Sequence, residues 1–440
     1  MDPVFDIGIK RPKILLPRSD IDLKKWAVIA CDQFTSQPEY WQQVEEIVGG
    51  SPSTFHMILP EVFLGSPEEE NRIQTTQSTM KDYLQSDLFK PLHDFIYVLR
   101  STGGQTRRGL MVCLDLEHYD YNKGAQTLIR ATEGTILDRL PPRIRIREKA
   151  AIECPHILVL FDDPEDTVFT PIDVNIKAYQ SAYDFELMLG SGHLKGLVLD
   201  DEGTREHIFK ALSELIQPEN FAKKYNLEPG RYSPLLFAMG DGNHSLATAK
   251  AIWDKIKPSV GMAHPTRYAL VEIENIHDPA LTFEPIHRLI FNLKVDLKKA
   301  MQTYWGNNVS IREAASEDDM MTAVNDAVGP LHHLGMVTGN TFNVLAIQDP
   351  GTNLAVGVLQ KFLDKFLKKD GAENIDYVHG SKVLFEKAKS ANNAGFYVPA
   401  MDKSDLFRTV ILDGALPRKT FSMGEAKEKR FYMECRMIQA

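Results

Sequence analysis

Along the chain, short apolar runs closed by Gly, Pro, Asp or Asn alternate with stretches whose apolar residues recur every three or four positions. This is the pattern of an α/β (α+β) protein in which mixed sheets carry flanking helices. Strands are expected at 26–30, 95–100, 109–116, 157–161, 236–239, 268–273, 335–338, 343–347, 375–378 and 431–437. Helices are expected from Pro38 to the stop at Gly49-Gly50, from the acidic run Glu68-Glu69-Glu70 through Leu84, over 205–217, from Leu246 onward, and over 318–328 and 358–368. The polar segment 101–106 joins two strands and no helix follows it, so it reads as a hairpin connection rather than a phosphate loop. Within 143–147 Arg and Ile alternate. An extended chain would therefore put Arg143, Arg145 and Arg147 on one face, with Ile144 and Ile146 on the other. No Gly/Ser/Pro-rich linker divides the chain, and three α/β regions are expected, 1–150, 151–297 and 298–440.

Composition narrows the classes. The 440 residues, 43% apolar and 25% charged, suit a globular protein with a sizeable core. No apolar run approaches the roughly 18–20 residues of a membrane span, and the start, Met1-Asp2-Pro3-Val4-Phe5-Asp6, lacks the pattern of a signal peptide. A cytoplasmic protein without a membrane partner is expected. A formal net charge of −10 disfavours a nucleic-acid partner. Cys31, Cys113, Cys154 and Cys435 show no paired spacing, which argues against a zinc ribbon or disulfide framework. Neither Asp162-Asp163, followed by Pro164 as in a turn, nor His332-His333 has a ligand pattern around it, and no metal-ligating set is expected. The oligomeric state is not legible.

Chemistry concentrates in one corner. Leu236 to Met239 run into Gly240-Asp241-Gly242-Asn243-His244-Ser245, after which Leu246, Ala247, Ala249 and Ile252 resume at helical spacing. A strand, a glycine turn and a helix start leave backbone N–H groups free to cradle an anion, among carboxylate, amide, imidazole and hydroxyl side chains. The same residues also suit an ordinary N-capped turn with a surface histidine.

Asp241, Gly242 and His244 resemble the Asp-Gly-His-His-Arg signature of the ParB and sulfiredoxin-like fold group, whose members include free-serine kinases. Asn243 stands where that signature has its first His and Ser245 where it has Arg, a single hydroxyl in place of a bidentate guanidinium. The wider chain resembles the bacterial and archaeal family called domain of unknown function one thousand and fifteen. The resemblance runs through Arg130-Ala131-Thr132-Glu133-Gly134-Thr135, the Asp241 corner, Pro285-Ile286-His287-Arg288 and Leu416-Pro417-Arg418-Lys419-Thr420. Thr132 takes the place of the family's histidine before the glutamate.

These resemblances imply a phosphoryl-transfer enzyme, kinase-like, with serine or phosphoserine as the small metabolite and ADP or ATP with Mg2+ as cofactors. Glu133, Asp241 and His244 are the expected catalytic groups. Arg130, Gly242, Asn243, Ser245, His287, Arg288, Lys419 and Thr420 are expected to hold the phosphates. The alternatives are a phosphatase that uses the same site and a sensor that binds a nucleotide or amino acid without chemistry.

Overall fold

The computed structural model describes residues 6–134, 140–349 and 351–439. It divides into two units, one of residues 1–281 and 425–440 and one of residues 282–424.

The first unit is built on a mixed sheet. Its strands are β1 (Ile9–Lys10), β2 (Phe95–Thr102), β3 (Gln105–Asp115), β4 (Tyr119–Asp120), β5 (Ile129–Arg130), β6 (Leu158–Phe161), β7 (Gln180–Glu186), β8 (His193–Leu199), β9 (Phe237–Asp241) and β10 (Tyr268–Asn275). They lie in the order β7-β8-β2-β3-β10-β6-β9-β5-β4, with β1 beside β3. The expected hairpin joins β2 to β3: Thr102 pairs with Gln105 across Gly103 and Gly104, both at positive φ, as a two-residue turn requires. The expected boundary near 150 falls inside this sheet, because β2 and β3 pair with β8 and β10 from beyond it.

Period-two alternation sorts the strands onto two cores. Phe95, Tyr97, Leu110, Val112, Val271 and Ile273 face one side, where the helix Asn243–Val260 packs through Leu246, Ala249 and Trp253. Ile96, Val98, Met111, Cys113 and Leu270 face the other, against Trp26, Val28, Trp41 and the closing segment Phe431, Tyr432, Met433 and Cys435. That closing segment forms two short strands, Phe431–Tyr432 and Arg436–Met437, rather than the single one expected. Around it lie the helices α1 (Pro38–Val48), α2 (Glu69–Gln85) and α3 (Leu140–Arg147).

The helix α3 corrects the expectation of an extended arginine face. Pro142 sits in its first turn, where a missing N–H is harmless. Each arginine has an acid to meet: Arg143 pairs with Glu61, Arg145 with Glu69 and Glu70, and Arg147 with Glu153 at 2.5 Å. Those tertiary pairs outweigh the local alternation.

The second unit carries a sheet of β11 (Phe283–Leu293), β12 (Val309–Ala314), β13 (His332–Thr338), β14 (Thr341–Ile347), β15 (Ala372–His379), β16 (Ala394–Tyr397) and β17 (Phe421–Met423). The order is β12-β14-β13-β16-β11-β15, with β17 on β11. Its core includes Leu289, Met320, Val337, Val344, Leu384 and Phe385. The strand β11 already belongs to this unit, so the division falls ahead of the boundary expected near 297.

Candidate functional site

The strand β9, the turn at Gly242 and the helix α4 (Asn243–Val260) form the corner that the sequence pattern indicates. Parallel pairing of β9 with β5 sets Ala238 against Arg130, and Thr132 Oγ1 donates to the Met239 carbonyl at 2.8 Å. The chain leaving β5 is thereby carried along β9, and half-buried Glu133 follows directly after Thr132. On its other side β9 runs antiparallel to β6, with Asp241 opposite Leu158, two residues beyond His156.

Gly242 is the cap residue of α4 at φ +79°, without a side-chain cap. A Cβ there would stand 3.1 Å from Ile157, so both the conformation and the close approach require glycine. The first helical N–H to find a partner within the turn is that of Leu246, on the Gly242 carbonyl at 3.0 Å. The amides ahead of it have no acceptor inside the helix. The buried Asn243 Oδ1 has no hydrogen-bond partner.

Asp241 accepts the Gly242 N–H at 2.9 Å through one oxygen and the Lys429 ammonium at 3.1 Å through the other. Burial works to raise its pKa. Lys429, His156 and the Gly242 amide outweigh burial and hold the carboxyl below the usual carboxylate range. Ser245 Oγ lies 3.1 Å from His156 Nε2. His156 Nδ1 lies 2.8 Å from the Tyr432 hydroxyl, which accepts the Cys31 N–H at 3.1 Å. An oxygen of Asp32 is 3.9 Å from the same Nε2. Burial above all, then Cys31 and Asp32, keeps Tyr432 well above the ordinary phenol pKa.

These groups border a cavity of about 130 Å³ lined by Ser245, Thr248, His156 and Tyr432 and by apolar residues including Met57, Met80 and Leu270. The Glu61–Arg143 pair also lines it. Burial pushes the Glu61 carboxyl up against the pull of Arg143. Behind the cavity a buried ionic lattice braces the closing segment. Arg430 contacts Glu272 and Glu434, Tyr183 donates to Glu434, and Arg436 meets Glu153 at 2.6 Å. Gly109 leaves room for Glu272, since a Cβ there would fall 2.0 Å from its Oε1. Glu274 pairs with Arg107 at 2.6 Å, yet burial raises it to about 7.

The structure thus brings Asp241, Gly242, Asn243, His244 and Ser245 together at one turn, with β5, which ends at Arg130, and the chain that leads from it to Glu133 alongside. Arg130 itself is buried and donates to the carbonyls of Thr127, Ser233 and Pro234, a brace for the chain entering β9. Burial lowers its pKa to about 10. Thr135 and Arg139 lie outside the described residues.

The remaining expected residues belong to the second unit. The Arg288 guanidinium donates to the carbonyls of Arg418 at 2.9 Å and Lys419 at 3.0 Å, and to Gln360 at 3.1 Å. Thr420 is buried and donates to the Pro417 carbonyl at 2.6 Å. Lys419 is exposed at φ +54°. His287 is buried, accepts the Val398 N–H at 3.1 Å and stacks on Tyr397.

Sequence reasoning missed His156, Lys429 and Tyr432. A histidine directly before an apolar strand was the one local signal for the first. Lys429 and Tyr432 reach the corner because the chain end returns to the first unit, which no local pattern announces. Among the described residues, no group of three or more His, Cys, Asp or Glu side chains is placed to hold a metal ion. None of the described helices is long and apolar enough to cross a membrane.

Solved structures similar to this chain include a free serine kinase mutant in complex with AMP, at 11% identity and a TM-score of 0.38 over 76% of this chain and 93% of that one. A conserved hypothetical protein from Pyrococcus furiosus is 12% identical, with a TM-score of 0.34 over 75% of this chain and 95% of that one. SbnI from Staphylococcus aureus, with a C-terminal truncation, is 9% identical, with a TM-score of 0.36 over 75% and 87%. No curated protein matches the chain. The model of the family described as protein of unknown function (DUF1015) matches residues 15–366, and the chain belongs to that family.

Proposed function

We propose that the Asp241 corner binds the phosphates of ADP or ATP and transfers a phosphoryl group to or from a small hydroxylated metabolite, with serine or phosphoserine the candidate that the sequence resemblance implies. One observation carries the reading. An 18-residue helix starts at the end of a sheet strand with no side-chain cap, and its first turn lines a cavity. The amide N–H groups of a helix's first turn and the positive end of its dipole are a natural seat for phosphate.

In this reading Gly242 lets the backbone approach the phosphates, while Asp241 and Lys429 fix the turn. Glu133 and His244 serve as base and proton donor at the transferred group. Among the described residues no group of three or more His, Cys, Asp or Glu side chains is placed to hold a metal ion, so in this reading magnesium enters on the nucleotide's own phosphates. Water as acceptor would make the same site a phosphatase, a version favoured by Ser245 standing where the resembled signature has a charged arginine.

The test uses the purified full chain. ATP or ADP should raise its melting temperature, and turnover should follow with serine as acceptor. Glu133→Ala and His244→Ala should abolish turnover and leave the melting temperature of the free protein unchanged. Full activity in both variants overturns the assignment. Binding without turnover would make the protein a sensor.

A further inference from the structure

We infer that Ser245 is the nucleophile that carries the phosphoryl group covalently and that His156 is its general base, an inference that rests on the phosphoryl-transfer reading above. A serine in the first turn of a helix ordinarily caps the turn or bonds back to a carbonyl one turn earlier. Thr248, one position into the next turn, does the latter, donating to the His244 carbonyl at 2.8 Å. Ser245 does neither. Its Oγ lies 3.1 Å from His156 Nε2, the reach of a nucleophile from its base.

The imidazole is itself held. It is buried, only 8% exposed, and its other nitrogen lies 2.8 Å from the Tyr432 hydroxyl, which a backbone N–H from Cys31 fixes in turn. With Nδ1 protonated and donating to Tyr432, Nε2 is the acceptor that faces the Ser245 O–H. Asp32, 3.9 Å from Nε2, stabilises the imidazolium that forms when the proton arrives. Three separate stretches of chain, around Cys31, His156 and Tyr432, therefore converge on a single O–H···N contact at the wall of a cavity. Direct transfer between nucleotide and metabolite would need no such pair.

In the first half-reaction Ser245 Oγ attacks the terminal phosphorus of a nucleoside triphosphate. The new O–P bond forms, the bond from phosphorus to the bridging oxygen breaks, the serine proton passes to His156 Nε2, and the diphosphate leaves. In the second half the acceptor hydroxyl, of a metabolite or of water, attacks the phosphoserine. Its proton goes to Glu133, the base of the proposed function, and the departing Ser245 oxygen takes back the proton that His156 holds. A phosphate monoester donor enters the same cycle with its alcohol as leaving group.

The full chain is incubated with ATP and magnesium chloride, or with p-nitrophenyl phosphate, quenched in acid and weighed intact. The mass gain of one phosphoryl group, mapped to the peptide carrying Ser245, is expected. Ser245→Ala should remove it, and His156→Gln should slow its appearance about 100-fold or more. A protein that binds ATP, turns it over and never carries the phosphoryl group on Ser245 overturns this inference and leaves the proposed function standing. Turnover that survives in Ser245→Ala does the same. Absence of ATP binding overturns both.

Discussion

Acidification should destabilise the second unit through His287, by an amount that follows from its surroundings. The ring is 2% exposed, and its Nδ1 accepts the Val398 N–H, a bond that only the neutral imidazole makes. Burial, and then the charges of Arg288 and His379, bring its pKa from 6.5 to about 4. A folded pKa below the unfolded one means that the unfolded chain binds more protons between these values. The stabilisation is therefore complete above pH 6.5 and is lost as pH falls toward 4. A shift of this size corresponds to about 3 kcal/mol in full, of which roughly 2 kcal/mol is gone by pH 5. Urea unfolding of the full chain and of His287→Gln, each at pH 7.5 and pH 5, reads the difference. The native protein should lose about 2 kcal/mol more than the variant over that interval, and the Val398 amide should exchange faster with solvent at the lower pH. Equal losses in the two proteins, or a His287 resonance titrating near its ordinary value, would refute the reasoning.

Three further outcomes follow from the first unit. Arg430→Met leaves the buried Glu272 and Glu434 carboxylates without their cation and should cost about 3–5 kcal/mol in urea unfolding. Gly242→Ala places a Cβ at φ +79° and 3.1 Å from Ile157. It should cost about 1–2 kcal/mol and weaken ADP binding in the same calorimetric titration that shows binding by the native chain. Cys154 and Cys435 hold their sulfurs 3.3 Å apart across 281 positions of sequence. Diamide should join them without unfolding the protein, seen as the loss of two maleimide-reactive thiols and a cross-linked peptide.

The corner was legible because strand, glycine turn and helix are neighbours in sequence, and each leaves a local trace: Leu236 to Met239, Gly242, then Leu246, Ala249 and Ile252. The hairpin at Gly103-Gly104 was legible for the same reason. The helix at Leu140–Arg147 was not, because alternating Arg and Ile mimic a strand and the acids that decide the matter, Glu61, Glu69, Glu70 and Glu153, come from elsewhere. Nor was the partnership of Asp241 with Lys429 or of His156 with Tyr432, since each joins residues far apart along the chain. The unit boundaries escaped for a related reason. The first unit closes with residues 425–440, so its sheet and its braces are not contiguous in sequence. Arg130 and Arg288 illustrate a further limit: both stand in motif segments, and both guanidiniums are seen donating to backbone carbonyls of their own units.

The most direct test of the phosphate seat is calorimetric titration of ADP into the native chain and into Ser245→Asp. A carboxylate in the first turn of α4 occupies the place of the phosphate and also complements the helix dipole, so the variant should keep its melting temperature. The account predicts measurable binding by the native chain and none by the variant. Equal binding by both proteins, or no binding by the native one, would contradict it.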